Sequence, residues 1–337
     1  MNAFNSFGEQ LQAIAKAQRT HTTDQRLTGA YNSASGLGSQ IGTEGGFLIT
    51  PEYADTFISK TYDNSIILGR ADIYEPEKFL SEFKIPKFNE TSRADGSRLG
   101  GVRVYRTAEA EEIEKSSFKV GEMAFAGNPL KGLCFVTEEM LQDAAMLEKI
   151  VTDAFSKELA FTADFESYRG SGVGENLGII NSGAVIQIDP ETEQSDSIVI
   201  DNIDKMWARC WGAGRANSIW VYNQGIEADI LAAIRETRYF ETAAPYNTLL
   251  GRPMIPAEFC SAPGDYGDFA LITPSEYAVA KSKKTDLVTS IHVKFLTGEM
   301  AFRFVVWLQA MPKWESPITP RFGTDTLSPF VVLKARN

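Results

Sequence analysis

The stretch from Ser81 to Asn181 constrains this chain most, because a long, charged excursion runs directly into one long amphipathic helix. Glu82-Phe83-Lys84-Ile85-Pro86-Lys87-Phe88 and Gly101-Val102-Arg103-Val104-Tyr105-Arg106 alternate as strands do, and Thr91-Ser92-Arg93-Ala94-Asp95-Gly96-Ser97 between them is turn-rich. Two strands alone are marginal in water, so this hairpin needs a surface to lie on. Arg93, Arg98, Arg103 and Arg106 make its near part basic, while Glu109, Glu111, Glu112 and Glu114 make the following segment acidic. Opposite charge at the two ends of one excursion allows copies of the chain to dock head to tail. A solvated surface loop is the plainer reading of such charges. Against it, connections longer than ~12–15 residues inside compact domains tend to be functional or disordered, and this composition alternates. The excursion is therefore read as an intermolecular arm, with those arginines and glutamates as the candidate interface.

The helix is predicted from Thr137 to about Tyr168, with Thr137 as N-cap and Glu138 and Glu139 in the first turn, where the helix dipole favours negative charge. Met140, Ala144, Leu147, Val151, Phe155 and Leu159 recur every three or four residues as a buried stripe. Some thirty residues at a rise of ~1.5 Å each span roughly 45 Å, which suits an elongated subunit. The helix ends in Arg169-Gly170-Ser171-Gly172-Val173-Gly174-Glu175-Asn176-Leu177-Gly178-Ile179-Ile180.

At 337 residues the chain exceeds the usual single core, so two lobes or one long body are expected. The formal net charge of −11 argues against a nucleic-acid grip, which comes from clustered Lys and Arg. Cys134, Cys210 and Cys260 are far apart and lack metal-ligand spacing, so buried free thiols are expected rather than disulfides. No apolar run reaches the ~20 residues of a membrane span, and no signal-peptide pattern opens the chain, so synthesis inside the cell without a membrane stage is expected.

Catalytic and cofactor chemistry finds little support. The cluster Gly170, Gly172 and Gly174 lacks the Lys-Ser/Thr of a phosphate loop and follows a helix instead of preceding one. Only His21 and His292 are present, and no Gly-x-Ser-x-Gly elbow accompanies them, so His292 is read as structural. Metal-ligand spacings are absent from the sequence. No cofactor, metal site or catalytic residue is expected.

Residues 1 to about 45 are polar, with one short amphipathic segment, Phe7 to Ala17, and read as an arm or tether. Beyond Ile188 helical and strand patterns alternate: Ile203–Gly212 helical, Ser218–Tyr222 a buried strand, Gln224–Arg235 helical, Phe269–Ile272 a strand. Then Ile291–Phe295 and Phe302–Leu308 form a hairpin around Thr297-Gly298-Glu299.

Taken in order, Thr43-Glu44-Gly45-Gly46-Phe47-Leu48-Ile49-Thr50-Pro51, the hairpin, the long helix with its Gly-x-Gly-x-x-x-x-Gly-Ile turn, Ile219-Trp220-Val221-Tyr222-Asn223, Leu250-Gly251-Arg252-Pro253-Met254, Asp268–Ile272 and Phe302–Trp307 resemble the HK97-like bacteriophage major capsid proteins. The resemblance runs from about Thr43 onward. It departs at Leu177, where the family often has proline; the leucine loosens the turn, and Gly172, Gly174 and Gly178 keep it permissive.

That resemblance implies an α+β fold with a peripheral lobe of spine helix and long β-strands, an axial lobe, an extended β-hairpin arm and an N-terminal arm. The corresponding division is 1–46 for the N-terminal arm; 47–80, 116–187 and 284–337 for the peripheral domain; 81–115 for the hairpin; and 188–283 for the axial domain. It implies a major capsid protein that assembles with itself into hexamers and pentamers of an icosahedral virion head. Such a head encloses double-stranded DNA without sequence-specific binding and is assembled in the host cytoplasm. The partners implied are a portal, a possible decoration protein and a separate scaffolding protein, since the chain ahead of Phe47 is too short for a large scaffolding segment and begins at Met1. Some members cross-link a hairpin lysine to a neighbour's asparagine. Here the matching position falls near Glu111, and Met300–Leu308 offers neither the asparagine nor the promoting glutamate, so no cross-link is expected; Lys115 is a distant substitute.

Two rival readings differ in class. An encapsulin, a bacterial compartment of the same fold, would enclose enzymes, but the polar N-terminal arm and wide hairpin favour a viral shell. A cytosolic enzyme using Asp201, Asp204 and Glu227 would need a convergent titratable site that the sequence does not display.

Overall fold

The computed structural model describes residues 4, 6–20, 24–27, 47–48, 59–76, 82–107, 115–117, 119–137, 139, 143–191, 194, 197–235, 239–242, 245–282, 286–294 and 299–336. Its centre is a seven-stranded sheet in the spatial order Ile186–Ile188, Phe330–Leu333, Phe269–Ile272, Ile219–Tyr222, Arg252–Pro256, Thr248–Leu249, Phe240–Glu241. The three central strands are buried at every position. Side chains alternate across a strand, so Ile219, Val221, Ala270, Ile272, Phe330 and Val332 enter one core. Trp220, Tyr222, Phe269, Leu271, Val331 and Leu333 enter another. The helices Ile200–Arg209 and Glu227–Ile234 cover the second face through Ile203, Met206, Ile230 and Ile234. Trp220 stacks on Phe269 with ring centroids 5.1 Å apart, and its indole N–H donates to the Leu249 carbonyl at 3.0 Å. A bulky aromatic is thus buried without an unsatisfied donor.

The long helix runs from Ala144 to Arg169. Its end agrees with the expected one near Tyr168, while its start lies seven residues beyond Thr137. Leu130–Val136 is claimed instead by a strand that pairs with Glu299–Val306, from Val136 opposite Met300 to Leu130 opposite Val306. Thr137 is therefore not the cap. Asp143 caps the helix by accepting the Met146 amide at 3.0 Å. Of the expected stripe, Leu159 is buried and Phe155 packs edge-on against Phe304 at 4.7 Å. Met140 and the side chains of Ala144, Leu147 and Val151 lie outside the described residues.

On the buried side of this helix Asp164 lies beneath the turn at Leu68–Arg70. Its carboxylate accepts the Ser65 hydroxyl at 2.6 Å and the amides of Ile66, Ile67 and Leu68 at 2.6, 3.1 and 3.4 Å. Burial pushes this carboxyl above its ordinary range, and the four donors draw it back. One side chain thereby closes the amides that a helical turn leaves open.

Asp286–Lys294 and Glu299–Val306 form the expected hairpin, joined by Phe47–Leu48 on one side and Leu130–Val136 on the other. The N-terminal helix, Phe7–Thr20, lies on this sheet: Leu11 and Ile14 are fully buried with Met300 and Phe302. Burying each such side chain is worth at most about 1.5–3 kcal/mol. The polar composition of residues 1–45 led to an expectation of an arm or tether; its short amphipathic face folds Phe7–Thr20 onto the sheet. Residues 28–46, 51–58 and His21 lie outside the described residues.

A third sheet places Tyr277–Lys281 between Leu308–Pro312 and Asp72–Tyr74. Two strands pair across the lines of the expected division. Strand Tyr277–Lys281 pairs with the 308–312 return although it falls within 188–283. Strand Phe330–Leu333 inserts between Ile186–Ile188 and Phe269–Ile272, away from the rest of 284–337. Both follow from long-range ladders that local pattern does not carry.

Behind the last strand, Arg336 and Asp268 form an ion pair with both side chains wholly buried. Arg336 Nη1 lies 3.1 Å from Asp268 Oδ1, Nη2 bonds Oδ2, and the Gly264 amide adds a bond at 2.9 Å. Removing one partner of such a pair strands the other charge at a cost of about 3–5 kcal/mol, whereas replacing both with apolar groups can be neutral. Arg336→Ala is therefore expected to lower unfolding free energy by about that amount in urea titrations, and Arg336→Met with Asp268→Leu to restore most of it. Equal stability of Arg336→Ala and wild type would show that the pair does not hold the strand.

Candidate functional site

The arm begins as a two-stranded ribbon. Phe83–Phe88 pairs antiparallel with Val120–Phe125, from Phe83 opposite Phe125 to Phe88 opposite Val120. The expected partner, Gly101–Arg106, is not in the ladder. Leu99, Gly100 and Gly101 take φ of 51°, 76° and 132° in succession, which coils the chain into a turn, and the Arg98 and Val102 backbones bond each other at 3.0 and 2.8 Å. Glycine adopts such angles readily; Leu99 does so at a cost. The excursion between the ribbon strands is accordingly longer than the sequence led one to expect.

The ribbon has two unlike faces. Phe83, Ile85, Met123 and Phe125 point inward onto Ala278, Ala280 and Met311 of the three-stranded sheet and onto Trp307 just before it. Lys84, Pro86, Phe88, Val120, Glu122 and Ala124 point outward. Lys84 lies 3.4 Å from Glu82 and 3.5 Å from Glu122, and these carboxylates raise its ammonium pKa. The remaining outward positions carry an exposed apolar pair, Phe88 and Val120. Beyond them Leu99 and Val104 are 54% and 94% exposed, and Val102 and Tyr105 also face solvent. Exposed apolar side chains thus gather on one thin element, the kind of surface that interaction sites present.

The four arginines divide. Arg93 Nε donates to Glu90 at 2.6 Å, and Arg103 reaches Asp95 at 2.6 Å. Ser97 and Arg103 together hold the Asp95 carboxyl far below the usual range. Arg98 and Arg106 are exposed, and their side chains bond no other described residue. Glu109, Glu111, Glu112 and Glu114 lie outside the described residues, so the acidic half of the expected interface has no geometry here. The cis pairs of Arg93 and Arg103 escaped the sequence reading, although Glu90 and Asp95 stand three and eight residues away.

The turn after the long helix is fastened to the strand Leu308–Pro312. Leu177 N–H donates to the Ala310 carbonyl at 3.0 Å, a bond that proline could not make, and Asn176 accepts the Ala310 amide at 2.8 Å. Leucine at this position thus replaces a fixed backbone angle with a hydrogen bond. Gly178 is required, since a Cβ there would come within 2.5 Å of the Gly170 amide nitrogen.

Other candidate chemistry is dispersed. Asp201 and Asp204 stand exposed on one helix and Glu227 opens another; Asp204 raises the pKa of the Tyr239 phenol and Glu227 contributes to a raise at Tyr222 that burial dominates. Among the described residues no three His, Cys, Asp or Glu gather as a metal site. Burial pushes the thiols of Cys134 and Cys210 up to about 11 and that of Cys260 to about 12. All three are free, Cys134 only half-buried. No described helix is long and apolar enough to cross a membrane.

Comparison with known proteins bears on this geometry. The fold is similar to the capsid of an empty GTA particle (TM-score 0.58, 11% identity, 81% of this chain and 90% of that one). It is likewise similar to the capsid of a native GTA particle (0.55, 12%, 81% and 91%) and to the capsid of cyanophage A-1(L) (0.53, 12%, 84% and 94%). No curated protein matches the sequence. At such identity the solved structures establish the HK97-like capsid fold alone. The description of the phage capsid family matches residues 45–319. The chain belongs to the phage capsid family.

Proposed function

We propose that this capsid protein forms the wall of an icosahedral phage head by assembling into hexamers and pentamers around double-stranded DNA. What carries the reading is a ribbon anchored on its own body by one face and presenting apolar side chains to water from the other. A neighbouring copy supplies the missing cover. The same heterologous contact closes into rings of five and six when it tolerates small changes of angle. Many weak copies of that contact then make a strong container, and no catalytic step is needed.

Charge gives the contact its register. Of the four arginines, Arg98 and Arg106 bond no other described residue through their side chains and are the cations proposed to meet a neighbour, Arg93 and Arg103 being committed to Glu90 and Asp95. Glu109, Glu111, Glu112 and Glu114 are the acidic counterpart. The net charge of −11 fits a shell that contains DNA without gripping it. A separate scaffolding protein, a portal and a decoration protein are the further partners proposed, with assembly in the host cytoplasm.

Negative-stain microscopy of the purified protein, with scaffold supplied, is expected to show shells or rings of capsomers. Uniform small globules at high concentration would overturn the reading, and shells filled with an enzyme and no genome would point to an encapsulin-like compartment. Arg98→Glu combined with Arg106→Glu is expected to lower shell yield at low ionic strength, with the deficit fading as salt rises toward 1 M, where the Debye length is ~3 Å. Unchanged yield at every ionic strength takes these arginines out of the interface. On denaturing gels mature particles are expected to run as a single monomer band; a ladder of higher species would reveal covalent joining of subunits.

A further inference from the structure

The tip of the arm is held within its own subunit. Ser92 forms a parallel bridge with Thr319. The Arg93 amide donates to the Thr319 carbonyl at 2.8 Å, and the Thr319 amide donates to the Thr91 carbonyl at 3.1 Å. Nearer the ribbon, the Lys87 ammonium meets Glu315 at 2.5 Å. The strip that receives the tip is braced from behind: Ile318 and Leu327 exchange two backbone bonds of 2.8 Å, and the Trp211 amide donates to the Ser328 carbonyl at 2.9 Å.

Arm and body nevertheless fit poorly here. A cleft of 340 Å³ bordered by Lys87, Asn89, Trp211 and Trp314 lies between them, and so does one of 300 Å³ bordered by Arg98, Arg321 and Phe322. The base of the ribbon is different, since Met123 and Phe125 are almost wholly buried. The element therefore has an apolar, packed root and an outer part tied to the body by a few backbone bonds. A few bonds on an open edge are the kind of pairing that another strand can replace.

We propose that the 318–319 strip is an autoinhibitory latch. It holds the arm tip against its own body in the free subunit and must release it before the tip lies on a neighbouring copy. This rests on the shell-forming reading above. Cis and trans contacts then compete for one segment, and the closed fraction sets the protein concentration at which assembly begins.

The test is a lock. Bridged backbones stand ~4.8 Å apart, within the ~4.4–6.8 Å that a disulfide spans, so Ser92→Cys with Thr319→Cys is expected to cross-link on mild oxidation. Locked protein is expected to form no shells and to regain assembly on reduction. Thr319→Pro, which removes the amide bonded to Thr91, is expected to assemble at a several-fold lower concentration. Locked protein that assembles like wild type overturns the latch. If wild type itself forms no shells, the shell reading fails first, and hydrogen exchange of the soluble subunit decides the cis pairing. Slow exchange at the Arg93 and Thr319 amides supports it; exchange at the rate of open peptide overturns it.

Discussion

A two-stranded ribbon has two faces and, in a single subunit, only one body to lie against. Here the inward face is spent on Ala278, Ala280, Trp307 and Met311, which fixes the ribbon's root. The outward face and the turn beyond it keep Phe88, Leu99, Val104 and Val120 in water. That imbalance is local to the arm. Elsewhere the large exposed apolar side chains are more scattered, apart from Leu133 and Phe135 on the strand Leu130–Val136 and Phe161 with Phe165 on the long helix. Among the described residues the arm thus carries the largest group of exposed apolar side chains, which is what the proposed contact with another copy rests on.

The body that carries the arm is built to stay rigid. Its central sheet is covered on both faces, so none of its core strands has a solvated side to slip along. Asp164 ties the long helix to the turn at Leu68 through four donors, and the buried pair of Asp268 and Arg336 fastens the segment after the last strand. Groups of this kind are expensive to break singly. A stiff body with a thinly held arm tip is what a repeating wall requires, because angular adjustment between neighbours then falls on the arm.

Much of this was legible in the sequence for identifiable reasons. Ile219–Tyr222 and Phe269–Ile272 are short, wholly apolar runs, and strands buried on both sides need no other signal. The end of the long helix was plain because Gly170, Gly172 and Gly174 follow it at once. Its start was not: Thr137-Glu138-Glu139 has the composition of a helix beginning, yet Val136 is held by Met300, more than 160 residues away. The partner of Phe83–Phe88 was missed for a related reason. Gly101–Arg106 alternates as well as Val120–Phe125 does, and only the positive φ angles at Leu99, Gly100 and Gly101 disqualify it. The insertion of Phe330–Leu333 into the central sheet and the pairing of Arg93 with Glu90 are choices among equivalent local options. Three-dimensional context made them.

The most direct measurement is the reactivity of a thiol placed at the tip of the arm. Val104→Cys puts it at the most exposed of the large apolar positions among the described residues. Modified by a maleimide in dissociated subunits and again in assembled particles, that thiol should react rapidly in the first and be strongly protected in the second. Equal reactivity in both states would contradict a ribbon whose uncovered face is completed by a neighbouring copy.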